Sequence, residues 1–195
     1  MKISIIGAGN VGSVLAQRFS ELGHLVAVAD TSTGSGRIAA EVGEADVIVL
    51  AVPFAAVAEL DATVKQGLVG KTVIDATNPL AADFMSLTVG HTTSGAEQVA
   101  AALPGALIVK AFSSILAPNH GVASLGDQPL FLPVASDHDG AKQAVLDLAV
   151  QLGYDAVDAG PLANARYIEP TTELLIQLAY GQGHGTGIAL ALARA

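Results

Sequence analysis

Lys2-Ile3-Ser4-Ile5-Ile6, followed at once by Gly7-Ala8-Gly9-Asn10-Val11-Gly12, is the stretch that decides the fold. A short branched apolar run ends in three glycines at G-x-G-x-x-G spacing. Val11, Val14, Leu15, Phe19 and Leu22 then share one helical face, and Gly23 is placed to stop the helix. Three glycines alone are a weak signal, but strand, tight turn and amphipathic helix in this order are what a dinucleotide site requires. Gly7 permits the turn, Gly9 lets a pyrophosphate approach the backbone, and Gly12 lets helix and strand pack closely. Asn10 and Val11 head a helix whose N-terminus offers amide donors and positive dipole to the phosphates. The competing reading is a plain strand–turn–helix with no ligand.

Outward from this unit, further branched apolar runs recur at Leu25–Asp30, Val47–Val52, Thr72–Asp75, Leu107–Ala111 and Leu130–Ala135. Continuous rather than alternating runs read as parallel strands covered on both faces. Helical segments lie between several of them. Ser94 and Glu97 have capping-box spacing ahead of Val99, Ala100 and Leu103, and Ala141–Leu152 is a further helix ahead of Gly153. The fold class is therefore α/β, a Rossmann-like doubly wound, mostly parallel sheet. Between Asp30 and the next run only Thr31 to Asp46 is available, enough for one short helix (Arg37–Val42) and no extra strand. The sheet should be shortened after its second strand, on the side that usually cradles adenosine.

The chain has 195 residues, room for one ordinary domain and an appendage. We divide it into a dinucleotide-binding region at 1–160 and a C-terminal helical extension at 161–195. Within the extension, Pro170–Ala195 reads as helix with a glycine-softened middle, and Leu174, Leu175, Leu178, Ile188 and Leu192 need a surface to cover, on this chain or on a twin. A homodimer is the expectation. The formal net charge of −9 argues against a nucleic-acid or anionic-membrane surface. The longest apolar stretch, Val47 to Ala58, contains Pro53 and is too short to span a bilayer. With no signal pattern after Met1-Lys2 and no cysteine, a cytoplasmic protein is expected. The five histidines show no metal-ligand spacing, so no metal is expected.

Ligands in open α/β sheets lie beyond the carboxyl ends of the strands. Asp30 ends the second run, where a carboxylate bonds the adenine ribose and repels a 2′-phosphate, which points to NAD. Thr31-Ser32-Thr33-Gly34-Ser35-Gly36-Arg37 offers hydroxyls, amides and a guanidinium, a phosphate nest that points to NADP; these residues alone leave the choice open. Ala51-Val52-Pro53 and Asp75-Ala76-Thr77-Asn78-Pro79-Leu80 end the next two runs. Asn78 can bond a carboxamide or ribose, or else hold its own loop. Phe112 can line a ring-shaped slot or simply pack in the core, and Lys110 reads as a structural or surface residue rather than a catalytic one. No catalytic acid, base or nucleophile stands out. Hydride transfer between two bound rings needs alignment more than it needs an acid or base.

With these pieces placed, the chain resembles the deazaflavin-dependent NADP oxidoreductase family, in its small bacterial dinucleotide-binding branch. The matching stretches are Ile6-Gly7-Ala8-Gly9-Asn10-Val11-Gly12-Ser13, Leu50-Ala51-Val52-Pro53-Phe54, Asp75 to Leu80, Lys110-Ala111-Phe112, and Asp158-Ala159-Gly160-Pro161-Leu162 running into Ala165-Arg166 and Glu169. The resemblance implies NADP at the glycine loop, with Thr31, Ser32 and Arg37 at the 2′-phosphate. Val52, Pro53, Asn78 and Pro79 would surround the nicotinamide, and a deazaflavin or flavin would stack near Ala111, Phe112 and Ser113. The chain departs from the family at Ser113-Ser114, where Asn-Thr is usual, and at Ser32, near where an Arg commonly follows the second strand. The function expected is an NADP-dependent oxidoreductase moving hydride to or from a planar acceptor. The alternatives are a non-catalytic dinucleotide sensor or a small imine or carbonyl reductase.

Overall fold

The structure is a computed structural model that describes residues 1–194. In chain order it runs β1 (Lys2–Ile6), α1 (Asn10–Glu21), β2 (Leu25–Ala29), α2 (Ser35–Glu44), β3 (Val47–Leu50), α3 (Phe54–Ala58), α4 (Ala62–Gly67), β4 (Thr72–Asp75), α5 (Gly95–Ala102) and β5 (Leu107–Lys110). There follow β6 (Ser124–Leu125), β7 (Gln128–Pro129), β8 (Phe131–Val134), α6 (Asp139–Gln151), β9 (Asp155–Asp158) and α7 (Ala165–Ile176). The main sheet has five parallel strands in the order β2-β1-β3-β4-β5. A parallel pair, β8 and β9, meets its β5 edge through reciprocal backbone hydrogen bonds between Lys110 and Ala135, at 2.8 and 3.1 Å.

Alternation along each strand splits the core in two. Ile3, Ile5, Val47, Val49, Ile74 and Val109 pack toward Leu15 and Phe19 of α1 and Val145 and Leu148 of α6. Ile6, Ile48, Leu50, Val73 and Ile108 face the other way, onto Val42, Val57, Val64 and Val99. Each such buried side chain contributes about 1.5–3 kcal/mol. Among the described residues no further strand joins the sheet beyond β2, and Leu25 on that edge is 68% exposed. The shortened sheet expected from the Thr31–Asp46 spacing is what forms, with α2 as the single crossover element. Among the described residues, no helix is long and apolar enough to cross a membrane.

The C-terminal helix differs from its sequence reading. It begins at Ala165, with Pro170 inside it, and passes through a π-helical turn at Gln177–Gly181; residues 182–194 are neither helix nor strand. Ala195 lies outside the described residues. Gly183 and Gly185 adopt positive φ (74° and 72°), a conformation that ends a helix, and each interior glycine costs about 1 kcal/mol of helix stability. The tail instead folds back on its own chain. Asn119 Nδ2 donates to the Thr186 and Ile188 carbonyls (2.8 and 3.1 Å), Phe131 N donates to Leu190 O, and Arg194 holds Asp155 with two hydrogen bonds. Leu175, Ile176 and Ala179 pack with Leu116 and Ile188, whereas Leu174 stays exposed.

Candidate functional site

The β1–α1 turn is built around two glycines that can be nothing else. Gly7 has φ 118°, and a Cβ there would sit 2.2 Å from the Ala51 carbonyl oxygen. A Cβ on Gly12 would sit 1.9 Å from Gly7 O. Helix, turn and the end of β3 are thus in backbone contact. Gly9 is different: it is exposed, has ordinary extended φ, and a Cβ there would meet nothing within 4 Å. Gly9 caps α1 with no side-chain hydrogen bond, while Ser13 Oγ bonds back to Gly9 O. The positive end of α1 and its first-turn amides are left for an anion.

At the β2 edge the Asp30 carboxylate folds its own loop. It accepts from Ser32 N (2.8 Å), Ser32 Oγ (2.6 Å) and Thr33 Oγ1 (3.1 Å), and the Ser32 hydroxyl contact holds it below the usual carboxylate range. Thr31 and Ser32 are exposed. Arg37 on α2 is solvent-facing and pairs with Glu41 at 2.8 Å.

Next to the glycine turn, over the carboxyl ends of β3, β4 and β5, lies a cavity of about 700 Å³. Among the residues expected at the site it gathers Val11, Ala51, Val52, Pro53, Asn78, Phe112 and Ser113. Pro79 and Ala111 are not among its lining residues. Pro79 is buried against the start of α5, where a Cβ on Gly95 would approach it to 3.0 Å, and Ala111 packs in the core. Asn78 bridges two strand ends, donating from Nδ2 to Ser113 O at 3.0 Å, and its Oδ1 is buried with no partner. Phe112 satisfies both of its readings. Its ring packs edge-on against Phe19 and Tyr154 (centroids 6.4 and 6.0 Å) and also lines the cavity, with φ at 65°. A bulky residue in the left-handed region costs about 1–3 kcal/mol and persists only where packing over-determines it.

The cavity takes further walls from segments the sequence reading did not connect to it. Asp83, Phe84 and Met85 come from the loop after β4, Thr172, Ile176 and Tyr180 from the C-terminal helix, and Leu116 and His120 from the turn after β5. His120 is fully buried. Burial pushes its imidazole down to about 4, so it is neutral at physiological pH. The Ile115 carbonyl opposes that shift but is not in hydrogen-bonding geometry with either ring nitrogen.

Behind the cavity floor sits a buried ionic network. Lys110 Nζ lies 3.1 Å from Asp75 Oδ2 and 3.2 Å from Glu169 Oε1, and it also donates to the Thr77 carbonyl. Asp75 Oδ1 accepts from Thr77 N and Oγ1, and Glu169 accepts from Gly95 N (2.7 Å) and Ala96 N (3.0 Å) at the head of α5. Lys110 is buried in this network, so of the structural and surface readings its burial fits the structural one. The network ties the Thr77–Asn78 wall to α5 and α7.

Comparison with known proteins gives a consistent picture. Residues 2–79 match the model of the family described as NADP oxidoreductase, coenzyme F420-dependent. The F420-dependent NADP reductase of Methanothermobacter marburgensis is 31% identical over 210 residues, which covers 91% of this chain and 92% of the relative. A crystal structure assigned as an F420-dependent NADP-reductase from Arthrobacter sp. FB24 superposes with a TM-score of 0.85 at 27% identity, covering 100% of both chains. An imine reductase of Streptomyces aurantiacus shares the fold alone, with a TM-score of 0.65 at 13% identity over 93% of this chain and 64% of that one.

Proposed function

The chain belongs to the F420-dependent NADP oxidoreductase family, and on that premise we propose that it is an NADP-dependent oxidoreductase transferring hydride between NADP(H) and a deazaflavin. The observation that carries the reading is a juxtaposition. The glycine turn at the head of α1 and a mostly apolar cavity share Val11 and the Ala51–Pro53 turn, so a dinucleotide whose phosphates sit on the turn can lay its ring in the cavity.

In this reading Gly7, Gly9, Asn10, Val11 and Gly12 hold the pyrophosphate. Thr31, Ser32 and Arg37 receive the 2′-phosphate, with the Asp30 carboxylate shaping their loop rather than opposing it. Ala51, Val52, Pro53 and Asn78 border the nicotinamide, with Pro79 supporting that wall from behind. The deazaflavin stacks beside Phe112 and Ser113, over the backing of Ala111. The hydride leaves nicotinamide C4 as the ring becomes aromatic and arrives at the acceptor ring carbon, and solvent supplies the proton for the ring nitrogen. No side chain is needed as obligatory acid or base; the rate comes from alignment in a dry slot.

The division into a binding region at 1–160 and an extension at 161–195 fits this use, because Thr172, Ile176 and Tyr180 of the extension wall the cavity. A homodimer is part of the reading, supported by the exposed Tyr167 and Leu174 on α7 (72% and 59%). Light scattering should give twice the 19.5 kDa of one chain, and the single-chain mass would remove the dimer. The function itself is tested by following nicotinamide fluorescence as NADPH and NADH are titrated side by side, then offering deazaflavin. Tighter binding of NADPH and its oxidation by deazaflavin are expected. Binding of neither coenzyme would end the oxidoreductase reading.

A further inference from the structure

Most of the chain's few aromatic side chains are packed away, and the exceptions are not scattered. Of five Phe and three Tyr, those more than half exposed are Phe84, Tyr167 and Tyr180, at 65%, 72% and 56%. Phe84 and Tyr180 both line the cavity over the strand ends. They come from separate segments, the loop after β4 and the π-helical turn that closes the C-terminal helix. Each ring therefore stands at the rim, open both to solvent and to the cavity.

Phe84 is held there under constraint. Its loop closes like a hairpin: Leu80 bridges Leu87, Ala81 N donates to Ser86 O (2.8 Å), Phe84 N to Ala81 O (2.9 Å) and Met85 N to Asp83 Oδ1 (3.0 Å). Gln177 Nε2 donates to Met85 O, and Met85 packs against the Leu116–Ile176 cluster, so the loop is tied to the C-terminal helix. At the tip Phe84 has φ 59°, a left-handed backbone that glycine takes freely and a bulky residue takes only where its surroundings impose it. Its ring belongs to none of the three hydrophobic clusters. The chain thus spends backbone strain on an apolar ring that it does not bury, and the ring's place is the mouth of a mostly apolar cavity.

A planar hydride acceptor has two faces. One must lie against the nicotinamide C4 for transfer, which leaves the other to protein or to water. We propose that Phe84 and Tyr180 are the stacking platform for that second face, so that the acceptor ring is held between the nicotinamide and the aromatic rim. Ring-on-ring stacking asks for an extended π-face and reads no particular hydrogen-bond edge. The platform therefore sets a class of acceptor: fused planar heterocycles of deazaflavin or flavin size are retained, and small carbonyls or imines, which offer no such face, are not. The inference rests on the deazaflavin reading above.

The test uses the whole protein saturated with NADP+, so that no hydride moves, and 5-deazariboflavin as probe. Binding is read from quenching of deazariboflavin fluorescence, alongside NADP+ affinity by calorimetry, the light-scattering mass and the thermal midpoint of each variant. Phe84→Ala and Tyr180→Ala are each expected to weaken deazariboflavin binding about fivefold to a hundredfold, the loss of one aromatic stack, with NADP+ affinity unchanged. Phe84→Gly should weaken it equally while its thermal midpoint stays at or above the parent's, because glycine suits φ 59°. The chain has no Trp, so Phe84→Trp places a single indole at the rim. That variant should keep its affinity, and its emission should be quenched by deazariboflavin, a readout that holds even if F84A does not fold. Unchanged deazariboflavin affinity in both alanine variants, or indole emission indifferent to the ligand, would overturn the platform. So would an F84A protein whose mass changes while its deazariboflavin affinity does not, since the rim would then be a contact between subunits. Wild-type protein that fails to bind NADP+ or deazariboflavin would instead count against the function proposed above.

Discussion

Replacing Gly9 by valine separates the fold from the ligand, because the three glycines of the turn are held by different neighbours. Gly9 has φ −75° and ψ −168°, which any residue adopts, and a Cβ there meets nothing within 4 Å. G9V should therefore fold, losing only about 1 kcal/mol or less from exchanging a favoured N-cap glycine for valine. The added methyl groups stand where a pyrophosphate would approach the head of α1. Charge-assisted hydrogen bonds contribute about 1.5–3 kcal/mol each, so losing two costs about 3–6 kcal/mol and raises the Kd for NADPH about a hundredfold to ten-thousandfold. Gly12→Ala is the counterpart. Its Cβ would lie 1.9 Å from Gly7 O and 3.2 Å from Ala51 Cβ, so the loss appears in the fold, at about 1–3 kcal/mol or more. The assay pairs nicotinamide fluorescence titration with thermal unfolding for each variant. Normal NADPH affinity in G9V would refute the placement of the phosphates, and unfolding of G9V would refute the claim that this position is free.

The buried network behind the cavity should respond to Lys110→Met by losing about 3–5 kcal/mol in urea unfolding, since Asp75 and Glu169 would be left as uncompensated buried carboxylates; a loss below about 1 kcal/mol would show that the network is incidental. Arg37→Ala should weaken NADPH about tenfold, the worth of one exposed phosphate contact, and leave NADH unchanged; an equal effect on both coenzymes would remove Arg37 from the 2′-phosphate. The Arg166 guanidinium, bonded twice to Glu97, holds that carboxyl below its ordinary 4.5. A depressed carboxylate stabilises the fold above its unfolded pKa and loses that contribution as pH falls through the folded value. Wild-type protein should therefore lose more stability between about pH 5 and about pH 3 than Arg166→Met does, and parallel curves would show the pair to be idle.

Much of the sheet was legible because its strands are continuous apolar runs whose only outlet is a parallel, two-faced layer. Val47–Leu50 and Thr72–Asp75 are fully determined in this sense, and the Thr31–Asp46 spacing alone dictated the missing strand. Short elements were not legible. Phe54–Ala58 and Ala62–Gly67 are too brief for periodicity to show, and the Asp155–Asp158 strand carries acids at both ends that mask its apolar centre. The C-terminal helix is shorter than its apolar pattern suggests, because Ile188 and Leu192 continue that pattern past glycines that stop it. At the site, the residues near the glycine turn were legible from local motifs. His120, Met85 and Tyr180 were not, because each reaches the cavity through tertiary placement with no motif around it. For His120 no neighbouring motif carries a signal, and only its burial against Phe112 places it on the cavity wall.

The most direct test of hydride transfer by alignment uses NADPH carrying deuterium at both nicotinamide C4 positions, mixed with the enzyme and an oxidised deazaflavin. The reduced deazaflavin, analysed by mass spectrometry, should carry one deuterium on its ring carbon per NADPH consumed, with none released to water. Oxidation of NADPH with the label lost to solvent, or a deazaflavin that stays oxidised while NADPH remains bound, would contradict direct transfer between the two rings.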